Sequence, residues 1–346
     1  MRCTVSMQNE ITNSSKLLDE SGNLVQKGWA RKPLLEYNRD KIASSWARIK
    51  EWDYYAILND DFGITFTLTD LGLMGLFNIT WLDFKDKKFY VSEDLKLLTR
   101  GKTNLPHSST EGNVSYHGKK MKLEFERHDE HRIIRFEDPR FQKKLGIKGE
   151  LRLDHPKAQE SMVIATPWKN KSGKFYYNEK VNCQPASGEV KIGNDSYEFN
   201  NKTSFGVLDW GRGVWPYSDT WYWGSASGIV NGSSFGFNIG HGFGDLSMAT
   251  ENMVFVNGKG HKLNEVKFNI DSKDYLKPWT FTSDDGRFEM SMKPILDRNA
   301  TVNLLIFKSS QHQIFGRFSG FVLLDDGSKF EVNDLLGFAE KVSNRW

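Results

Sequence analysis

Along most of the chain apolar and polar residues alternate, in runs of roughly five to ten residues that end at Gly, Asn or Asp. "GITFTLTD" (63–70), "MKLEFERH" (121–128), "HRIIRFED" (131–138) and "KGELRLDH" (148–155) show this most plainly. Similar runs follow at "TWYWGSASGIV" (220–230), "SSFGFNIGHG" (233–242), "NMVFVNGK" (252–259), "VNLLIFKSS" (302–310) and "SKFEVNDLLGFAEKV" (328–342). A period of two sends successive side chains to opposite faces, so the pattern predicts about a dozen strands. Asn231-Gly232, Asn257-Gly258, Asp285-Gly286 and Asp326-Gly327 are turn pairs of the kind that close hairpins. Helical spacing is scarce. "RDKIASSWARIK" (39–50) sets Ile42, Trp46 and Ile49 four and three apart, with Asn38 or Asp40 to cap the start.

So many antiparallel strands must cover their edges, by closing into barrels or packing as sandwiches. One barrel takes roughly 150 residues, so a chain of 346 predicts two barrel-like halves in a mainly β fold with a short N-terminal helix. The expected division is an arm at 1–37, a first half at 38–190 and a second half at 191–346. The change is placed in the polar segment 183–204, "CQPASGEVKIGNDSYEFNNKTS", which also suits a long hairpin within one half. The arm, with "GWARKPLLEYN" (28–38), is expected to cover a barrel end.

Composition narrows the function. With 47 basic and 44 acidic residues there is no net field of the kind that draws nucleic acid or an anionic membrane. Two cysteines, Cys3 and Cys183, make neither a disulfide framework nor a zinc knuckle. The start lacks the apolar run of a secretory signal (Met7 would serve equally as a start), and no run is long enough to span a bilayer. A soluble cytoplasmic protein is expected. There is no phosphate loop, the Gly-Arg-Gly at 211–213 precedes Val-Trp-Pro rather than a helix, and "GSASG" (224–228) has Ala226 where a hydrolase nucleophile would stand.

Chemistry concentrates in two segments. "GVLDWGRGVWPYSDTWYW" (206–223) crowds Trp210, Trp215, Trp221 and Trp223 around Asp209 and Arg212. Aromatic walls with a few polar groups describe a ligand cleft, and equally an ion pair under an aromatic plug. In residues 235–263, alternation puts Phe235, Phe237, Ile239 and His241 on one face and Asn238 on the other, with Asp245, Glu251 and His261 following. His and carboxylates are the material of proton transfer. The candidate catalytic residues are Asp209, His241, Asp245 and Glu251. Trp210, Arg212, Trp215, Trp221, Trp223 and Asn238 are the candidate ligand contacts. Zinc-type spacing is missing, so no metal and no cofactor are expected. Glu51 and Asp53 in "KEWDYY" read as a charged strand entry.

The ordered set "GWARKPLLEYN", "KEWDYY", "LDWGRGVWPY", "FGFNIGHGFGD", "TENMVFVNGKGHKL" and "GFAEKVSNRW" resembles the family called domain of unknown function 2804, from about residue 17 to Trp346. At the level of fold the chain is similar to calycin-like double-barrel proteins such as carotenoid 1,2-hydratase and tocopherol cyclase. That resemblance implies two lipocalin-like barrels with a small-molecule ligand in or between them, and an Asp acting on an apolar polyene among aromatic rings.

Three functions fit these residues. The first is a cofactor-independent acid–base enzyme of hydratase, isomerase or cyclase type, with Asp209 or Glu251 donating a proton and His241 or Asp245 accepting one. An acid among indoles has a raised pKa, which Arg212 would oppose if it reached Asp209. The second is cleavage of a glycosidic bond by paired carboxylates on tryptophan platforms. The third is a lipocalin-like carrier, with the carboxylates locked in ion pairs around an apolar cavity.

Overall fold

Strands form two curled antiparallel sheets, lying side by side, in a computed structural model that describes residues 8–169, 171–303 and 308–345. Cys3, Met7, Trp346 and the centre of the run expected at 302–310 lie outside the described residues. The first sheet runs from the edge strand Lys88–Leu97 through Met74–Asp83, Phe62–Asp70, Ile49–Leu58, Phe205–Val214 and Lys171–Ile192. It continues through Ile147–Asp154, His131–Asp138 and Lys122–Arg127 to Val114–His117. The second runs from Lys259–Lys262 through Met253–Val256, Ser233–His241, Ser218–Val230, Lys329–Arg345 and Lys308–Leu323 to Phe288–Asn303, Trp279–Ser283 and Val266–Asn269. No helix among the described residues is long and apolar enough to cross a membrane.

Local sequence explains most of this. Asn231-Gly232 and Asn257-Gly258 both hold positive φ at each residue, as a tight hairpin turn requires. Alternation directs Tyr55, Ile57, Phe66 and Leu123 into the first barrel, and Phe235, Phe237 and Ile239 into the second. The N-terminal arm covers the first barrel through Leu17, Leu24, Leu35 and Tyr37, and its strand Gly28–Ala30 pairs with Met162–Trp168.

Two expectations change. In place of one α-helix at 39–50 the chain makes two single 3-10 turns, Arg39–Lys41 and Trp46–Arg48. Asn38 caps the first, accepting from the Asp40 amide at 2.9 Å. The last turn of a helix is lost because Ile49 and Lys50 pair instead with Val214 and Gly213. The passage between sheets also lies later than residue 190. Lys171–Ile192 is one long strand, bent between Val181 and Gln184, and Asp195–Phe199 returns along it as the hairpin alternative required. Phe205–Val214 still pairs with Ile49–Leu58, so the chain crosses at 215–217.

Candidate functional site

Where the outer faces of the two sheets meet, apolar side chains from both form shared clusters, including Tyr54, Val207, Trp223, Phe315 and Phe338. Alternation decides which parts of 206–223 take part. Asp209, Gly211 and Gly213 face the junction, while Trp210 and Arg212 face the first barrel. The Trp52 ring lies where a side chain at Gly211 would stand, so that glycine admits an indole against the backbone.

Asp209 is opposite Lys180 on one neighbouring strand and Tyr54 on the other. Lys180 Nζ is 2.8 Å from Asp209 Oδ2, and Asn178 Nδ2 donates to Asp209 Oδ1 at 2.6 Å. Both ends of this ion pair are buried, and the ammonium sits 4.0 Å from the centroid of Trp223. Above it opens a cavity of about 200 Å³ walled by Trp52, Trp215, Trp221, Trp223 and Phe243. The rings brace one another, with Trp215 centroids 5.5 Å from Trp52, 5.1 Å from Trp221 and 5.8 Å from Phe243.

Two further carboxyls surround the pair. Glu340 lines the cavity, accepting from Trp221 Nε1 at 3.2 Å and from Gln313 Nε2 at 3.3 Å. Glu251 is buried beside Gly240, where an added Cβ would overlap its carboxylate. Its Oε2 accepts from the Tyr176 hydroxyl at 3.4 Å, and its Oε1 has no hydrogen-bond partner among the described residues. Burial pushes both carboxyls up to about 7, and the neighbouring Asp209 adds to the rise while Lys180 opposes it. A raised carboxyl pKa means that the folded chain holds more protons than the unfolded chain between about 4.5 and about 7. Stability from these groups is fully present below that window and is lost as pH rises through it. Urea midpoints measured across the window should show a flatter slope for Glu251→Gln, by up to about 1.4 kcal/mol per pH unit. A variant with the parent's slope would place the extra protons elsewhere.

The junction thus gathers Asp209, Trp215, Trp221 and Trp223 around one cavity, with Glu251 behind the lysine. Asn238 is fully buried and ties the site together, accepting from Trp223 Nε1 at 2.7 Å and donating to the Glu251 carbonyl at 2.6 Å. Other candidates stand apart. Arg212 does not pair with Asp209: parity sends it inward, to Asp53 at 2.9 Å with its guanidinium 4.1 Å from Trp210. The acids read as a charged strand entry, Glu51 and Asp53, are therefore buried, with Arg39 bridging to Glu51. His241 lies at the rim of the second barrel, half exposed and 3.4 Å from Glu265. Asp245 holds a turn, its amide donating to the Pro167 carbonyl and its Oδ1 accepting from Ser247. Among the described residues no group of three or more His, Cys, Asp or Glu is placed to hold a metal ion.

Sequence reasoning passed over Lys180, Tyr176, Asn178 and Glu340. The signal for Glu340 is an acid at every-second-residue spacing with Phe338 and Val342, on the face of the strand opposite to Ala339 and Lys341. For Lys180 it is "YYNEKVN" (176–182), where Asn178, Lys180 and Asn182 recur every second position with Glu179 between them, all four buried.

Two curled antiparallel half-barrel sheets, side by side, give the chain a mainly β double-barrel fold. The chain belongs to the family described as Domain of unknown function (DUF2804), whose model matches residues 8–346. Among solved structures it is similar to CghA with Sch210972, at 9% identity and TM-score 0.51 over 96% of this chain and 97% of that one. It is also similar to kievitone hydratase from Nectria haematococca, at 11% identity and TM-score 0.48 over 86% and 88%. The first likeness supports the fold. A search of curated proteins finds no match.

Proposed function

We propose that the protein is a cofactor-independent acid–base enzyme acting on a small unsaturated molecule held between the sheets. The observation that carries this reading is that Glu340 and Asp209, the latter paired with Lys180, line one indole-walled cavity. Glu340, with its carboxyl lifted to about 7, is protonated in a large fraction of molecules near neutrality and is the donor. Its proton passes to an alkene carbon, and the positive charge that develops on the neighbouring carbon is stabilised by the faces of Trp221 and Trp223. Asp209 then takes a proton, from the substrate in an isomerisation or from water in a hydration, while Lys180 and Asn178 hold its carboxylate in place. Asn238 and Tyr176 keep Trp223 and Glu251 in position. At about 200 Å³ the cavity is smaller than the usual ligand pocket of about 300–1,000 Å³, so it accepts a small molecule or one end of a larger one.

A carrier is the second reading, favoured by the closed Asp209–Lys180–Asn178 network. Incubation with a panel of dienes, enones and terpenoid alkenes in deuterium oxide separates the two. The enzyme transfers solvent deuterium to carbon in at least one member, and Glu340→Gln slows the mass gain by about 10²-fold or more. Binding of panel members with no deuterium uptake in any of them would sink the enzyme reading and leave the carrier.

A further inference from the structure

The acids of the junction cavity lie between two contacts that tie the sheets together. On the second sheet Arg298 pairs with Gln313, Gln313 with Glu340 and Glu340 with Trp223, so these four residues form one row across neighbouring strands. On the first sheet Tyr54 and Lys180 flank Asp209 in a facing row. Gln313 Nε2 donates to the Tyr54 hydroxyl at 2.9 Å on one side, and the Lys180 ammonium meets the Trp223 ring on the other. Asp209 and Glu340 therefore occupy the middle of the two rows. Arg298, which also lines the cavity, stands two strands from Glu340, its backbone roughly 10 Å away at the spacing of paired strands.

Gln313 is fully buried, and the direction of its amide decides what Glu340 meets. A guanidinium has donors and no acceptor, so the atom that receives Arg298 Nη1 at 3.0 Å is the amide oxygen, Gln313 Oε1. The amide nitrogen is then turned to Glu340 Oε2, at 3.3 Å. Gln311 Nε2 donates to the same oxygen at 3.4 Å, and Trp221 Nε1 donates to the other at 3.2 Å. All three of these side chains donate to the carboxyl, which favours its ionised form and offsets part of the rise that burial causes. The other ionisable groups around the row are Asp209, Lys180 and Tyr54 on the first sheet, Glu251 behind Lys180, and Lys50 farther along the strand of Tyr54.

We propose that Arg298 is a positioning residue for Glu340, fixing the Gln313 amide so that its N–H rather than its carbonyl faces the acid. This rests on the reading of Glu340 as the proton donor and adds the device that sets its strength. With Arg298 removed, the Gln313 amide is free to reverse, and its oxygen then accepts from a protonated Glu340 and repels an ionised one. The lost cation acts in the same direction, since its attraction for the carboxylate is gone. Both effects keep the proton on the carboxyl, and an acid that holds its proton more firmly donates it less readily.

Carbon-13 NMR of the full chain carrying labelled glutamate carboxyls tests the proposal without a substrate, the Glu340 signal being the one that Glu340→Gln removes. In the parent this signal is expected to titrate at about 7. Arg298→Met moves its midpoint up by about one pH unit, whereas Arg298→Lys, which keeps the charge and a donor for Gln313 Oε1, leaves it near the parent's. Gln313→Leu retains the guanidinium but has no amide N–H, and its midpoint also rises. That variant decides the matter if Arg298→Met does not fold, with thermal unfolding showing which variants do. An unmoved midpoint in folded Arg298→Met overturns the proposal. So does a rise there with none in Gln313→Leu, since the guanidinium then acts through charge alone. The two readings fail separately. Turnover that survives Glu340→Gln removes the donor reading while the Arg298 result stands, and an unmoved midpoint beside turnover lost in Glu340→Gln removes the positioning role alone.

Discussion

Glu340→Gln lowers turnover by about 10²–10⁴-fold, the range typical for loss of a positioned general acid. Glutamine keeps the shape of the side chain, and its amide oxygen can still accept from Trp221 Nε1, which with Gln313 Nε2 holds the carboxyl in the parent at 3.2 and 3.3 Å. What it removes is the transferable proton. Substrate binding therefore changes little, and the loss falls on kcat. The pH profile supplies the sharper measurement. An acid must be protonated to donate, so the parent's activity falls as pH rises through about 7, where burial has placed Glu340. In Glu340→Gln the residual activity should no longer follow that limb. If the limb persists unchanged while turnover stays near the parent's, Glu340 only packs the cavity and another group is the donor.

Lys180→Met destabilises the fold by about 3–5 kcal/mol, the usual consequence of removing one partner of a buried ion pair. Lys180 is 1% exposed and is Asp209's counter-ion at 2.8 Å, and it also fills the face of Trp223. Methionine restores most of the volume but leaves a buried carboxylate with Asn178 as its neutral partner. A loss of this size is a large share of the roughly 5–15 kcal/mol that holds a protein folded. The double variant Lys180→Met with Asp209→Leu should recover most of it, because neither member of the ion pair is then left buried without its partner. Chemical unfolding of the two single variants and the double variant gives the coupling directly. A Lys180→Met midpoint close to the parent's would mean that water reaches Asp209 from the cavity, and that the ion pair contributes little.

Alternation and turn chemistry are local, and they specified a great deal here. The strands, the hairpins at Asn231-Gly232 and Asn257-Gly258 and the inward faces of Phe235, Phe237 and Ile239 follow from spacing alone, because a strand's period of two is a property of the backbone. The same reasoning found Asp209 and the indoles of Trp215, Trp221 and Trp223, since aromatic and acidic residues so close in sequence are a compositional signal. It left open whether Arg212 reaches Asp209; residues three apart in an extended strand lie on opposite faces, and Arg212 turns to Asp53 instead. Which face became the cavity was a matter of register between strands. Lys180 meets Asp209 through the pairing of Lys171–Ile192 with Phe205–Val214, and Glu340 meets Trp223 through the pairing of the last strand with Ser218–Val230. His241, next to glycines and acids in the sequence, was carried to a rim by the same pairing. The sequence by itself therefore determined the strands, their two faces and several of the side chains that line the junction cavity. The tertiary structure alone decided which faces meet and so which lysine and which second acid complete it, because sheet packing joins side chains that no local spacing relates.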